Sequence, residues 1–276
     1  MTLQHLLEDA IGPTLGRVRW SVCVLGEDGE VLAAHEPSTV LPTASMGKVL
    51  LLHTVALAIE SGDLDPDEPL TVDPDDSVTD SGLWQHLRAR TLPAADVAAL
   101  VGAVSDNLAT NVLLRRIGLD TVDGVRRDLG LDGTRLLDRI RDVRTPVDPP
   151  APSVARADEL AGLLLRIEHE RAMSPAASQR TRSWLSLGTD LSMVAASFGL
   201  DPLAHTDALA HKTGTDVGVR ADAGAWRRPD GTRVAYAALA HWPPDARRPL
   251  PPAAEDPRDA AAIIAAMRAL GAALTG

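Results

Sequence analysis

Lys48 and Lys212 are the only lysines in this chain; the other 25 of its 27 basic residues are arginine. The two cations differ in what they can do. A guanidinium stays protonated in any protein setting, whereas a buried ammonium can lose its proton and act as a base. Lys48 closes the run Ser45-Met46-Gly47-Lys48, Lys212 opens Lys212-Thr213-Gly214, and Ser105-Asp106-Asn107 lies between them. A drift toward arginine explains why lysine is scarce. It does not explain where the two survivors sit.

A serine at a helix N-terminus holds its hydroxyl near free backbone N–H groups and the positive end of the helix dipole. Three residues on, a lysine returns to the same face. If burial and a neighbouring cation depress its pKa, Lys48 can take the Ser45 proton and activate the oxygen for acyl attack. Ser105-Asp106-Asn107 suits a tight turn that caps a following helix, with Ser105 facing a cleft to pass a proton to a leaving group. Lys212 and Thr213 on a strand can grip a substrate carboxylate, and Gly214 allows the backbone a close approach.

The elements that must hold these groups follow from pattern. Residues 1–12 place Leu3, Leu6, Leu7 and Ile11 on one helical stripe. Strand-like runs Arg17–Leu25 and Val31–His35 flank the turn Gly26-Glu27-Asp28-Gly29, and a long apolar helix runs from Met46 to Glu60. Helical segments are expected at Ala94–Val104, Leu108–Ile117, Thr121–Leu129, Ala155–Glu170 and Ala176–Leu187, with Arg144–Pro152 too proline-rich for a helix. Strands follow at Ala208–Thr215, Arg220–Arg227 and Arg233–Trp242, the last two joined by a turn at Arg228-Pro229-Asp230-Gly231, and a final helix spans Asp256–Leu274. Strands at both ends and helices between them predict an α/β (α+β) fold, an antiparallel sheet built from both termini and flanked by helices. Residues 1–44 and 188–276 would form the sheet domain, residues 45–187 an inserted all-helical domain, with the site in the cleft between.

Composition narrows the function classes. A net charge of −11 without a dense basic run argues against nucleic-acid binding. The single cysteine, Cys23, sits in an apolar strand and reads as a buried inert thiol. No His-Glu-x-x-His or comparable metal spacing occurs, and no glycine-rich phosphate loop, so no cofactor is expected. The N-terminus lacks the features of a secretory leader and no apolar run of membrane-spanning length is expected. The expectation is therefore a cytoplasmic monomer acting on a small molecule, or a secreted one if a leader precedes this sequence.

The three motifs, in this order, resemble those of the penicillin-recognising serine hydrolases, and among them the class A β-lactamases. The 60 positions from Ser45 to Ser105 match the usual class A separation. The resemblance implies Ser45 as the acylated nucleophile, Lys48 as its base or proton relay, and Ser105 as the shuttle to the β-lactam nitrogen. It places Asn107 against the substrate's side-chain amide and Lys212, Thr213 and Thr215 along the carboxylate side. It implies an oxyanion hole from the N–H groups of Ser45 and Thr215, a second carboxylate-binding group in Arg220, and a cleft-rim aromatic in Trp84, for which a packed core tryptophan is the alternative.

The resemblance breaks at one place. Class A enzymes hydrolyse the acyl-enzyme with water held by an omega-loop glutamate. Leu137-Asp138-Arg139 resembles the opening of that loop, but Ile140 and Arg141 follow, so arginine stands where glutamate is expected. Asp142 and Asp148 are nearby carboxylates on shorter side chains. The expected function is a β-lactamase-like serine hydrolase forming an acyl-enzyme with weak or unusual deacylation. The alternatives are a serine esterase or amidase on a non-β-lactam substrate, or a covalent β-lactam binder without turnover.

Overall fold

The computed structural model describes residues 1–204, 207–242 and 257–276. Helix α1 (Leu3–Ile11) is followed by strands β1 (Arg19–Leu25) and β2 (Val31–His35). Short strands β3 (Leu41–Pro42), β4 (Pro69–Thr71), β5 (Thr91–Pro93), β6 (Arg135–Leu136) and β7 (Ser153–Ala155) punctuate the helical middle of the chain. That middle holds α2 (Lys48–Ser61), α3 (Ala94–Val104), α4 (Asn107–Ile117), α5 (Leu119–Asp128), α6 (Ala157–Glu168) and α7 (Pro175–Leu185). Strands β8 (Leu209–Asp216), β9 (Val219–Arg227) and β10 (Arg233–His241) precede the last helix, α8 (Pro257–Thr275). Asp256, the expected start of that helix, lies outside the described residues.

Five strands form one antiparallel sheet in the order β2-β1-β10-β9-β8. Both termini supply it, as the sequence predicts. The period-2 alternation divides its side chains between two cores. Cys23, Ala223, Ala235, Ala237 and Leu239 face one, which continues through the buried leucines of α2 and α6. Trp20, Val22, Val24, Tyr236 and Ala238 face the other, closed by α1 and α8. Alanines on the inner face of β9 and β10 let α6 lie close across β1, β9 and β10. So α6, which the sequence assigns to the inserted helical unit, packs on the sheet.

Helix α2 runs through the middle of the inner core. The segment Ala44–Ser61 has 18 residues and a mean hydropathy of 1.2, so it does reach membrane-spanning length, contrary to expectation. Its apolarity serves a different end, because Val49, Leu50, Leu51, Leu52 and Val55 are all fully buried among the other helices.

Cys23 is buried and its thiol pushed up to about 11 by burial and by Asp158, which fits an inert core residue. The nearly buried Glu168 ties α6 to its neighbours through Arg182 (2.6 Å), Arg233 (3.1 Å) and Arg227 (3.5 Å). Helices α3 and α7 approach closely at Gly102, where an added Cβ would lie 2.2 Å from the carbonyl oxygen of Trp184. Alanine favours a helix over glycine by about 1 kcal/mol, but the overlap is with backbone that cannot swing aside. Gly102→Ala is therefore expected to lower stability by about 1–3 kcal/mol in urea unfolding with an unchanged m-value; a rise of about 1 kcal/mol would show that the helices are not in contact there.

Candidate active site

Ser45 sits in a 3₁₀ turn, Ala44–Gly47, and the α-helix begins at Lys48 rather than at Met46. With three residues per turn, positions i and i+3 eclipse, so the serine and lysine share a side. Ser153 fixes this turn from β7. Its Oγ donates to the Ala44 carbonyl (2.7 Å), accepts from the Gly47 N–H (3.3 Å) and lies 3.0 Å from Thr43 Oγ1. Pairing of β7 with β3 and β6 holds Ser153 in place. A Cβ at Gly47 would lie 2.8 Å from Ser153 Cβ, so this approach needs glycine. Ala44 has φ +50°, in the left-handed region that disfavours alanine, immediately before the nucleophile.

Strand β8 closes on the same turn. A Cβ at Gly214 would lie 2.3 Å from the Thr43 carbonyl oxygen and 3.3 Å from the Ser45 nitrogen. Glycine there brings an edge strand against the serine-bearing turn, and this close contact is its contribution to the site.

Lys48 is fully buried. Its Nζ donates to Ser105 O (2.6 Å) and Asn107 Oδ1 (2.7 Å) and lies 3.1 Å from Ser105 Oγ. Burial lowers the pKa of its ammonium well below the ordinary value, and the charge of Lys212 lowers it further, against weaker support from Asp106 and Asp80. Once neutral, the amine can still donate to the two fixed acceptors, leaving a lone pair to accept a proton from a hydroxyl.

Ser105 has φ +55° and ends α3 as its C-cap. Asp106 is the N-cap of α4, as its residue type predicts, accepting from Ala109 N (2.9 Å). The same buried carboxylate also takes the N–H groups of Leu83 and Trp84, each at 2.7 Å, so it fixes the loop that leads to the cleft. Ser105 and Asn107, on either side of it, both turn to Lys48.

Two cavities meet at the serine. The larger, about 340 Å³, is lined by Ser45, Ser105 and Asn107 on one wall and by Lys212, Thr213 and Thr215 on the other. The second, about 250 Å³, shares Ser45, Asn107 and Thr215 with it and extends to Ile140, Arg141 and Asp142. Lys212 is nearly fully buried, donates to the Thr213 carbonyl (2.8 Å), and has its pKa lowered to about 8 by burial, which Asp190 and Asp222 partly offset.

Two expected binding residues do not join this wall. Trp84 is completely buried, with Nε1 donating to the Ala89 carbonyl (2.8 Å), so it packs in the core and is not a rim aromatic. Arg220 pairs with Thr215 across the β8–β9 ladder, but its guanidinium turns back to the carbonyls of Asp216 (2.9 Å) and Val219 (2.8 Å) and lies over the Trp242 ring. Those contacts use its charge along the edge of the hairpin and not at either cavity.

The loop from Leu137 to Pro152 is organised by its own charges. Asp138 accepts from Arg141 (2.7 Å) and Arg144 (2.9 Å), and Arg141 also meets Asp148 (3.3 Å). Burial opposes ionisation of Asp138, but these two guanidinium hydrogen bonds outweigh it and hold its pKa below the ordinary value. Asn111 anchors the loop to α4 by exchanging hydrogen bonds with Ile140, at 3.0 and 2.9 Å. Asp148 is spent on Thr145 and Arg141 and lines neither cavity. Asp142 does reach the second cavity, with its carboxylate occupied by the N–H (2.9 Å) and hydroxyl (3.0 Å) of Thr79.

Sequence reasoning missed Thr43, Ser153 and Asp80. Ser153 lies more than a hundred positions from the turn it fixes, so no local pattern could reveal it. Asp80 lines both cavities and has φ +73°. Its one signal in the sequence is that it closes the stretch 63–80, which carries eight acids and no lysine or arginine.

A family model described as the beta-lactamase enzyme family matches residues 2–273. No curated protein matches the sequence. Among solved structures, a β-lactamase from Sphaerobacter thermophilus is 22% identical, with a TM-score of 0.81 over 99% of this chain and 94% of that one. An ancestral class A β-lactamase is 23% identical, with a TM-score of 0.78 over 99% and 98%. PBP-A is 24% identical, with a TM-score of 0.76 over 99% and 97%, and a point mutant of it has been solved as an acyl-enzyme complex with penicillin G. The sheet drawn from both termini, the helices around α2 and the match over nearly the whole length agree: this chain belongs to the β-lactamase enzyme family, serine hydrolases of cyclic amides.

Proposed function

We propose that this protein forms an acyl-enzyme at Ser45 with a β-lactam or a similar carboxylate-bearing amide or ester, and releases it slowly. The observation that carries this reading is the buried Lys48, held by Ser105 and Asn107 one turn from the serine. Neutral Lys48 takes the Ser45 proton as Oγ bonds to the substrate carbonyl carbon. The backbone N–H groups of Ser45 and Thr215 receive the negative charge that develops on the oxygen. As the carbon–nitrogen bond breaks, the proton passes from Lys48 through the Ser105 hydroxyl to the leaving nitrogen. Lys212, Thr213 and Thr215 hold the carboxylate of the leaving half.

Slow release follows from the loop. Hydrolysis of the ester needs a base beside the acyl carbon, and Arg141 cannot accept a proton. Of the loop carboxylates, Asp148 lies off the cavities and Asp142 accepts two hydrogen bonds from Thr79. The acyl-enzyme complex of PBP-A, a protein with this fold, makes a penicillin a reasonable first probe.

Intact mass followed over time after mixing with penicillin G should show one added penicillin that persists, and no adduct on Ser45→Ala. Unmodified protein together with intact penicillin would exclude penicillin G as a substrate, and unmodified protein with hydrolysed penicillin would show that an efficient deacylation base is present at the site and overturn the slow release. Lys48→Arg should acylate about 10²–10⁴ times more slowly, because guanidinium cannot take the proton; a wild-type rate would remove Lys48 from the proton path.

The acylation rate should also depend on pH in two opposing ways. It rises as Lys48, with its lowered pKa, loses its proton, and falls as Lys212 is neutralised near 8 and releases the substrate carboxylate. A second-order rate constant that does not fall as pH rises through about 8 would contradict the role of Lys212, and one that does not fall at low pH, where Lys48 is protonated, would contradict the role of Lys48.

A further inference from the structure

We infer that the acyl half of the preferred substrate carries a cationic group, an ammonium in particular, and that Asp80 selects for it. The inference rests on the acyl-enzyme reading above and adds the substrate's charge to it. Ser45 lies where the two cavities join, so the bond that breaks spans them. Ser105 and Lys212, assigned to the leaving half, line only the larger cavity. The acyl half therefore enters the second one, between Asn107 and the loop that carries Arg141.

The charges on that second cavity are not evenly available. Its two cations, Arg141 and Arg144, are both engaged by Asp138, and Arg141 also by Asp148. Neither Asp138 nor Asp148 lines the cavity, so these guanidinium groups arrive already neutralised from behind. The acids on the lining are different. Asp142 and Asp216 are held by uncharged donors, the Thr79 N–H and hydroxyl and the Val217 N–H, which leave the negative charge in place. Among the described residues the Asp80 carboxylate has no hydrogen-bond or ion-pair partner. An acyl group with a positive charge would meet an unpaired carboxylate there, and an anionic one would be repelled.

Asp80 is also built for its place. It stands at the shared edge of both cavities with φ +73°, a conformation that asparagine and aspartate tolerate better than other side chains. Gln85 Nε2 donates to its backbone carbonyl (2.8 Å), which fixes the turn without touching the carboxylate. Asp80 is the weaker of the two carboxylates whose charge supports the ammonium of the buried Lys48, and it shares the lining of both cavities with Ser45.

Three penicillins test this, because they share one leaving half and differ in the acyl side chain: ampicillin carries an ammonium, penicillin G no charge and carbenicillin a second carboxylate. Second-order rate constants for Ser45 acylation should fall in that order, by about fivefold per step for partly exposed charge pairs. Asp80→Asn, which keeps the left-handed turn accessible, should bring the ampicillin-to-penicillin G ratio close to one. In the unmodified protein, high salt should compress the same ratio by screening, an outcome that does not depend on how the variant folds. An equal rate for all three, a preference for carbenicillin, or a ratio that neither salt nor Asp80→Asn moves would overturn the charge selection while leaving the acyl-enzyme intact. Failure of all three either to label Ser45 or to be hydrolysed would overturn the acyl-enzyme reading itself, and this inference with it.

Discussion

Everything at this site depends on keeping one lysine out of water. Taking an ammonium into the interior costs several kcal/mol unless it is paired or neutral. Among the described residues Lys48 has no carboxylate in contact; its partners are a carbonyl, an amide oxygen and a hydroxyl. These uncharged acceptors make burial tolerable without locking the proton on, as an ion pair would. Lys212 across the cleft adds a repulsion that favours the neutral form. Burial and that repulsion both push toward the neutral, basic form a side chain that in water would be almost entirely protonated.

That arrangement sets demands on the backbone around it. The apolar helix α2 carries Lys48 into the core, and the close approach at Gly47 and Gly214 seals the turn before it. Three non-glycine residues around the cleft, Ala44, Asp80 and Ser105, hold positive φ angles. Such conformations cost of order 1–3 kcal/mol each and persist only where the surroundings dictate them. Here the surroundings are Ser153 for Ala44, Gln85 for Asp80, and the capped Asp106 beside Ser105. The strain lies beside the groups that would touch substrate, with the cores on either side of the sheet supplying the stability that offsets it.

Much of this was legible in the residues. The strand pair before Ser45, the three strands after Leu187 and the helix that carries Lys48 all follow from the hydrophobic pattern. The two isolated lysines pointed to the chemistry because each kept its place while arginine filled every other basic position. Distance in sequence hid the rest. The serine that fixes the nucleophile's turn sits on a three-residue strand, Ser153–Ala155, too short to show an alternating pattern and ending where the expected helix begins. Trp84 was misplaced because an aromatic near a cleft motif looks the same in sequence whether it faces in or out; the hydrogen bond from its indole to Ala89 decides the matter. Arg220 was placed by its spacing, but spacing does not say that the Asp216 and Val219 carbonyls would take its guanidinium.

Because the chain has two lysines, the protonation of both can be watched directly. Protein grown with lysine labelled with ¹³C at Cε should give two resonances, assigned by the loss of one in Lys212→Arg, and each can be titrated. Neither should behave as an ordinary lysine: Lys212 should titrate near 8, and Lys48 well below 10.5. A Lys48 resonance that remains that of an ammonium up to 10.5 or beyond would contradict the account, since a lysine that keeps its proton cannot take one from Ser45.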